Sequence, residues 1–227
     1  SLLLKGRKVT GFSDIEEQLV ELDKVVPFST EKELGGRGGE YSKHDDPWKP
    51  YVVEDGLLII RNGCIDWFGE WEEGKDRIPA EVRVRDYRGK MIVPGFVDTH
   101  IHYPQSEMVG AYGEQLLEWL NSHTFPAERR YNDLEYAREM STFFIKQLLR
   151  NGTTTALVFG TVHPESVDAL FEAASRINMR MIAGKVMMDR NAPDYLLDTA
   201  QSSYEQSKQL IERWHGNGRL LYAITPR

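Results

Sequence analysis

From Gly56 the chain reads in the period-two rhythm of β-structure. Leu57-Leu58-Ile59-Ile60 is an apolar run, and Cys64 to Gly69 returns from it. Between them, Asn62-Gly63 favours the positive φ angles of a type I′ turn, so the stretch predicts a hairpin. Val82 to Tyr87 alternates apolar and polar residues and predicts a half-buried strand. Arg88-Gly89 then marks a turn before the short run Met91-Ile92-Val93. After Pro94-Gly95 the rhythm changes. Phe96 to His102 predicts a strand. Tyr136, Met140, Phe143, Phe144 and Leu148 recur at helical spacing and predict a helix from about Asn132 to Arg150, closed by Asn151-Gly152. Thr153 to Phe159 predicts a buried strand. Pro164 opens a helix with Val167, Leu170, Phe171 and Ala174 on one face. Arg180 to Met187 predicts a third strand, Tyr204 to Trp214 a third helix stopped by Gly216-Asn217-Gly218, and Leu220 to Thr225 a fourth strand. Strand and helix alternating in this way imply a parallel sheet with helical crossovers. The expected architecture is α/β over residues 91–227, preceded by a small, mostly β domain over residues 1–90.

Residues 1–55 carry weaker patterns. Leu2, Leu3 and Leu4 can start an edge strand, and Ile15, Leu19 and Leu22 give Ser13 to Leu22 a helical spacing. Gly35-Gly36-Arg37-Gly38-Gly39 and the following Ser42 to Pro47 read as a mobile loop or linker. A phosphate-cradling loop would need a preceding buried strand, a following helix and a Lys-Ser/Thr pair, none of which the sequence supplies.

Composition narrows the class. Of 227 residues, 41% are hydrophobic and 28% charged, as in a soluble globular protein. The net charge of −7 argues against a nucleic-acid partner, which needs concentrated positive charge. The single cysteine, Cys64, excludes an intrachain disulfide and a zinc site built from several thiolates, and makes a reducing cytoplasm the expected setting. No apolar run reaches the roughly 20 residues that span a bilayer, and Leu2–Leu4 is too short for a signal-peptide core.

The chemical signal is Asp98-Thr99-His100-Ile101-His102. Residues two apart in a strand share a face, so His100 and His102 project together and can grip one metal ion. Val97, Thr99 and Ile101 are expected to point toward packing helices. Asp98 lies on the histidine face, deeper along the strand, as a supporting residue rather than a ligand. The plain alternative is two unrelated histidines on a β surface. Their position favours the metal reading, because α/β folds place ligands at the ends of such strands.

Pro94-Gly95-Phe96-Val97-Asp98-Thr99-His100-Ile101-His102 resembles the first-strand motif of the amidohydrolase superfamily. Within it, several segments resemble the guanine deaminase family. These are Tyr103-Pro104-Gln105, Gly110 to Leu120, Thr124 to Glu128, Asn151 to Thr155, and Ala223-Ile224-Thr225-Pro226-Arg227. The resemblance covers residues 56–227 and does not extend to residues 1–55. It implies a (β/α)₈ barrel of which this chain holds about four of the eight units. It also implies one divalent metal ion, zinc or iron, with His100 and His102 as the first two ligands. The remaining ligands and the catalytic acid/base are expected beyond strand four, so no catalytic residue is assigned here. A zinc site normally takes three protein ligands plus water, so two histidines are an incomplete set.

The same resemblance places His102, Tyr103, Pro104 and Gln105 against a purine, with Gln105 the main contact. A side-chain amide both donates and accepts, which suits a purine edge; a loop-capping amide is the alternative. Arg227 corresponds to the family's recognition arginine, and its fork can donate in parallel to a carbonyl and a ring nitrogen. Its alternative is a disordered terminal residue. Trp119 can wall the pocket, but Leu116, Leu117, Trp119 and Leu120 read better as a buried helix face. His163 is expected as an exposed helix-start residue, His215 as a last-turn residue favoured by the helix dipole, His44 as a solvated residue, and His123 as a loop residue without a role. The implied reaction is guanine plus water giving xanthine plus ammonia, by a protein that is cytoplasmic and homodimeric as this family often is. Two further readings stay open. One is a related hydrolase acting on another heterocycle or cyclic amide. The other is a non-catalytic half-barrel that serves as a binding or assembly module.

Overall fold

The computed structural model describes residues 8–9, 40–41, 53–113 and 115–227. The chain divides into two compact units, residues 1–88 and 89–227. The strand expected at Leu2–Leu4, the helix at Ser13–Leu22, and the glycine-rich run with Ser42–Pro47 lie outside the described residues. Between those last two, β2 (Glu40–Tyr41) pairs in parallel with β1 (Lys8–Val9).

The first unit also contains the predicted hairpin, β3 (Gly56–Arg61) and β4 (Cys64–Glu70), paired antiparallel with an irregularity at Ile59/Ile60. Asn62 and Gly63 both have positive φ, 53° and 76°, as the type I′ turn requires. A short helix, α1 (Trp71–Gly74), follows. The strand predicted at Val82–Tyr87 does not form, nor does one at Met91–Val93. Both runs are exposed, with Val84 57% and Met91 79% accessible, and no described segment pairs with them. Alternation alone does not make a strand; a ladder needs a partner for its backbone groups.

The second unit is a four-stranded parallel sheet in the order β5 (Phe96–His102), β6 (Thr153–Phe159), β7 (Arg180–Gly184), β9 (Leu220–Tyr222). A two-residue pair, β8 (Val186–Met187) with β10 (Thr225–Pro226), continues it past Lys185. Each strand of the sheet lies beside its predecessor, with helical crossovers between. That sequential parallel order is the winding of a partial TIM-type barrel, whereas a doubly wound sheet reverses its strand order. At the junction of β7 and β8, a Cβ on Gly184 would lie 2.0 Å from the Ala223 carbonyl oxygen, so no side chain fits there.

Local chemistry sets the crossovers. In α4 (Leu134–Arg150) the Asp133 carboxylate accepts from the Glu135 and Tyr136 amides and caps the helix. Pro164 opens α5 (Pro164–Arg176), where its missing N–H costs nothing. Thr199 and Ser202 form a reciprocal capping box that starts α6 (Ala200–Trp214) earlier than Tyr204, the start predicted from spacing. The apolar faces of these helices bury Phe144, Leu148, Leu170, Phe171 and Leu210 against Ala156, Val158 and Met181 of the sheet. Of the three β5 residues expected to pack, Ile101 meets this core; Val97 is 62% exposed, on an edge strand with one neighbour. A smaller cluster gathers Phe125, Val162, Val186, Met188 and Leu196.

The connection after β5 holds two more helical segments, α2 (Leu116–Trp119) and α3 (Phe125–Arg129), joined by a π turn over Leu120–Thr124. The buried face expected across Leu116, Leu117, Trp119 and Leu120 is not there. Leu116 and Leu117 are 70% and 72% exposed, while Leu120 packs on the smaller cluster. An apolar helix face is buried only where another segment packs on it, and Leu116 and Leu117 pack on neither apolar cluster. No helix among the described residues is long and apolar enough to cross a membrane.

Candidate active site

His100 and His102 stand at the C-terminal end of β5. Their Nε2 atoms are 3.3 Å apart, so the structure brings the two rings together as the strand period requires. Either one ring donates to the other, or both lone pairs face one cation. Two nitrogens each about 2.0–2.1 Å from a tetrahedral zinc lie roughly 3.3–3.4 Å apart, so the spacing matches a tetrahedral edge. The ladder with β6 is irregular between Asp98 and Ile101. There Asp98 Oδ1 accepts the His100 backbone N–H at 3.0 Å, which ties the carboxylate to the backbone.

Phe159, at the end of β6, holds both imidazoles. It stacks on His102 at 4.6 Å and 11° and meets His100 at 4.8 Å and 43°. Burial, then the Arg227 charge and His100, push the His102 pKa down to about 4, so this ring is neutral at pH 7 with a lone pair to offer. Its Nδ1 is buried and has no hydrogen-bond partner among the described residues. No group of three or more His, Cys, Asp or Glu side chains gathers to hold a metal among the described residues.

The segment after His102 divides. Tyr103 and Pro104, expected against a ligand, are buried instead. The Tyr103 ring is 0% exposed and packs on Tyr131 and Phe144, and its hydroxyl donates to the Ser166 carbonyl at 2.5 Å. With its ring enclosed and its hydroxyl engaged, Tyr103 anchors the end of β5 and offers no face to a ligand. Gln105 is half-buried, and its amide makes no hydrogen bond among the described residues.

Arg227 follows β10, and its backbone N–H donates to the Met187 carbonyl at 3.2 Å. Its Nη1 donates to Glu128 Oε1 at 2.6 Å, and its guanidinium lies 5.9 Å from the Phe125 ring. Glu128 is fully buried on α3, while the Arg227 side chain stays 21% exposed. Burial pushes the Glu128 carboxyl up; the Arg227 charge and hydrogen bond oppose it. Glu128 Oε2 has no partner among the described residues.

A second ion pair joins Lys185 and Asp198, which are 0% and 7% exposed. Lys185 Nζ also reaches the Val186 carbonyl at 3.3 Å, and Ser202 Oγ donates to Asp198 at 2.6 Å. Burial alone would raise the Asp198 pKa, but the hydrogen bonds from Lys185 and Ser202 outweigh it and hold the carboxyl low.

The other histidines differ in part from expectation. His163 does start α5, but it is half-buried rather than exposed, because the chain reverses at the strand end; its Nε2 is buried without a partner among the described residues. His215 lies at the C-cap of α6, where its Nδ1 accepts the Tyr222 amide and joins the helix end to β9. His123 sits in the π turn, with Trp119 6.3 Å away. Phe159, Glu128 and Lys185 were not singled out from the sequence. Phe159 carries a faint mark, an aromatic ending a strand beside the histidine strand. Glu128 ends the Thr124–Glu128 segment that carries the resemblance, but nothing local gives it a role, and Lys185 looks like an ordinary surface charge.

A sequential parallel barrel sheet with paired histidines ending its first strand defines a class of metal-dependent hydrolases. The amidohydrolase family model matches residues 91–227, and the chain belongs to that family. Within it, the chain is 86% identical over 175 residues to the guanine deaminase of Escherichia coli (strain K12), covering 77% of this chain and 40% of that protein. It is 41% identical over 192 residues to a probable guanine deaminase of Deinococcus radiodurans, covering 80% of this chain and 44% of that protein. The chain thus spans less than half the length of these curated relatives. Among solved structures, E. coli guanine deaminase matches with a TM-score of 0.74 over 77% of this chain and 40% of that one. A C. acetobutylicum guanine deaminase with guanine bound in its active site matches at 30% identity, with a TM-score of 0.72 over 82% of this chain and 44% of that one.

Proposed function

We propose that the protein to which this chain belongs hydrolyses guanine to xanthine and ammonia, with a divalent metal ion held in part by His100 and His102. The convergence of the two imidazoles at 3.3 Å beside an arginine whose side chain is 21% exposed carries the reading. The relatives named guanine deaminase supply the substrate. The donor set fits a metal: two imidazole nitrogens at a tetrahedral spacing, on rings already fixed by an aromatic neighbour. When bound, the ion acidifies a water molecule toward neutral pH. Zinc suits nitrogen donors in a site without thiolates.

This chain's own residues orient the parts. Phe159 keeps both rings in place. Tyr103 pins the strand end through Ser166. Arg227 directs its guanidinium donors at the purine carbonyl and at N7, both acceptors. The Gln105 amide, which is not engaged among the described residues, pairs with another edge of the ring. The remaining metal ligands and the group that moves a proton to the departing amine are assigned to the part of the relatives that this chain does not span. The same reading takes a homodimer as the assembly and the cytoplasm as the compartment.

The intact protein tests this directly. Ammonia release from guanine is expected, with metal content near one ion per active site and loss of turnover on treatment with a strong chelator. His100→Ala/His102→Ala is expected to strip the metal and abolish turnover. Unchanged turnover in that metal-free variant would sink the reading. Preference for a triazine or a cyclic amide over guanine would move the activity to another heterocycle.

A further inference from the structure

Glu128 is a buried carboxylate that the proposed chemistry does not touch. Its surroundings do not look purely structural. It is fully buried, yet only Oε1 has a partner, the Nη1 of Arg227 at 2.6 Å; Oε2 has none among the described residues. A buried charge with an open valence is costly to keep. Three residues earlier on the same helix, Phe125 faces the same guanidinium at 5.9 Å. One helix therefore presents a carboxylate and an aromatic ring to Arg227, whose other side-chain N–H groups make no hydrogen bond among the described residues and whose side chain is 21% exposed. A guanidinium close to His102 also places positive charge beside a site meant for a cation, and the Glu128 carboxylate cancels it locally.

We propose that Glu128 is a positioning residue that aims the Arg227 fork and so sets the preference for purines bearing a ring carbonyl. The idea rests on the guanine reading above. A rotating arginine can still meet a purine, but its two donors line up with a carbonyl and a neighbouring nitrogen only when the fork is fixed.

The test compares guanine with 2-aminopurine, which keeps the amino group and lacks the carbonyl, in the intact metal-loaded protein. In Glu128→Gln, KM for guanine is expected to rise roughly 10- to 100-fold, the size of a lost charge-assisted hydrogen bond. Turnover of 2-aminopurine and metal content are expected to change little, so the preference for guanine collapses. An equal fall for both substrates, or an unchanged guanine KM, would overturn the proposal. If Glu128→Gln does not fold, Arg227→Gln is compared with Glu128→Gln/Arg227→Gln, in which neither charge is left alone. Equal guanine KM in these two variants supports action through Arg227, and a further large loss in the double variant counts against it. A wild-type protein silent on guanine would mark failure of the function reading instead, whereas an active wild type with an indifferent Glu128 variant would mark failure of this one.

Discussion

Lys185–Asp198 and Arg227–Glu128 are both ion pairs with a buried member, but their remaining valences differ. Lys185 also reaches a carbonyl and Asp198 also accepts from Ser202, so both members have more than each other and both are nearly sealed. Glu128 keeps one oxygen without a partner among the described residues, and the Arg227 side chain stays 21% exposed. The closed pair fixes the fold where β7 gives way to β8. The open pair keeps donors available for something the fold does not contain. Buried charge alone does not mark a functional site; buried charge with an unfilled valence beside an accessible partner does.

Opening the closed pair is expected to have the largest effect. Lys185→Met leaves Asp198 buried and unpaired and is expected to cost about 3–5 kcal/mol, read as a lowered thermal or denaturant midpoint. Lys185→Met/Asp198→Leu removes both charges and is expected to recover most of that loss. If the double variant stays as unstable as the single, the site's role is packing rather than charge. Arg227→Lys acts on the open pair. It keeps the charge and loses the fork, so stability should move by less than ~1 kcal/mol while KM for guanine rises on the order of tenfold.

The smallest effect is in pH, where the two carboxylates slope in opposite directions. Asp198 is held below its ordinary value of 3.8, so its stabilisation is present above that pH and is lost as the pH falls through the lower folded value. Glu128 is raised above 4.5, so its contribution is greatest below that pH and is lost as the pH rises through the elevated folded value. Asp198→Asn should therefore flatten the acid limb of a stability-against-pH curve. Glu128→Gln should flatten the segment just above pH 4.5. Shifts of the same sign in both variants would contradict the contrast.

The legibility of these features in the sequence follows the range of the forces behind them. The hairpin rests on two adjacent turn residues, and the helices on periodicity and caps within one turn, so both could be read locally. His100 and His102 could be read as a pair because strand geometry alone makes them neighbours. Val82–Tyr87 had the right alternation and formed no strand, since pairing depends on a second segment. Leu116 and Leu117 carry an apolar helix pattern and lie outside, because burial needs a second segment packed on that face. Tyr103 belonged to a recognised motif, but its ring and hydroxyl serve the core. Phe159 and Glu128 acquire meaning only from partners on other elements. The Glu128–Arg227 contact joins residues 99 positions apart, and no local pattern announces it.

That separation also bears on how the molecule assembles. In the sheet, every strand docks beside the one before it, so each pairing closes a loop of one crossover. The Glu128–Arg227 contact closes a much longer loop and costs more chain entropy than any neighbouring strand pairing. The imidazole pair needs only β5, and its aromatic support needs only the next strand. Arg227 reaches the Glu128 carboxylate only once the fourth strand is in place. Contact order therefore separates the two halves of the candidate site, with the imidazole pair available from local structure and the Glu128–Arg227 contact dependent on completion of the four-strand sheet.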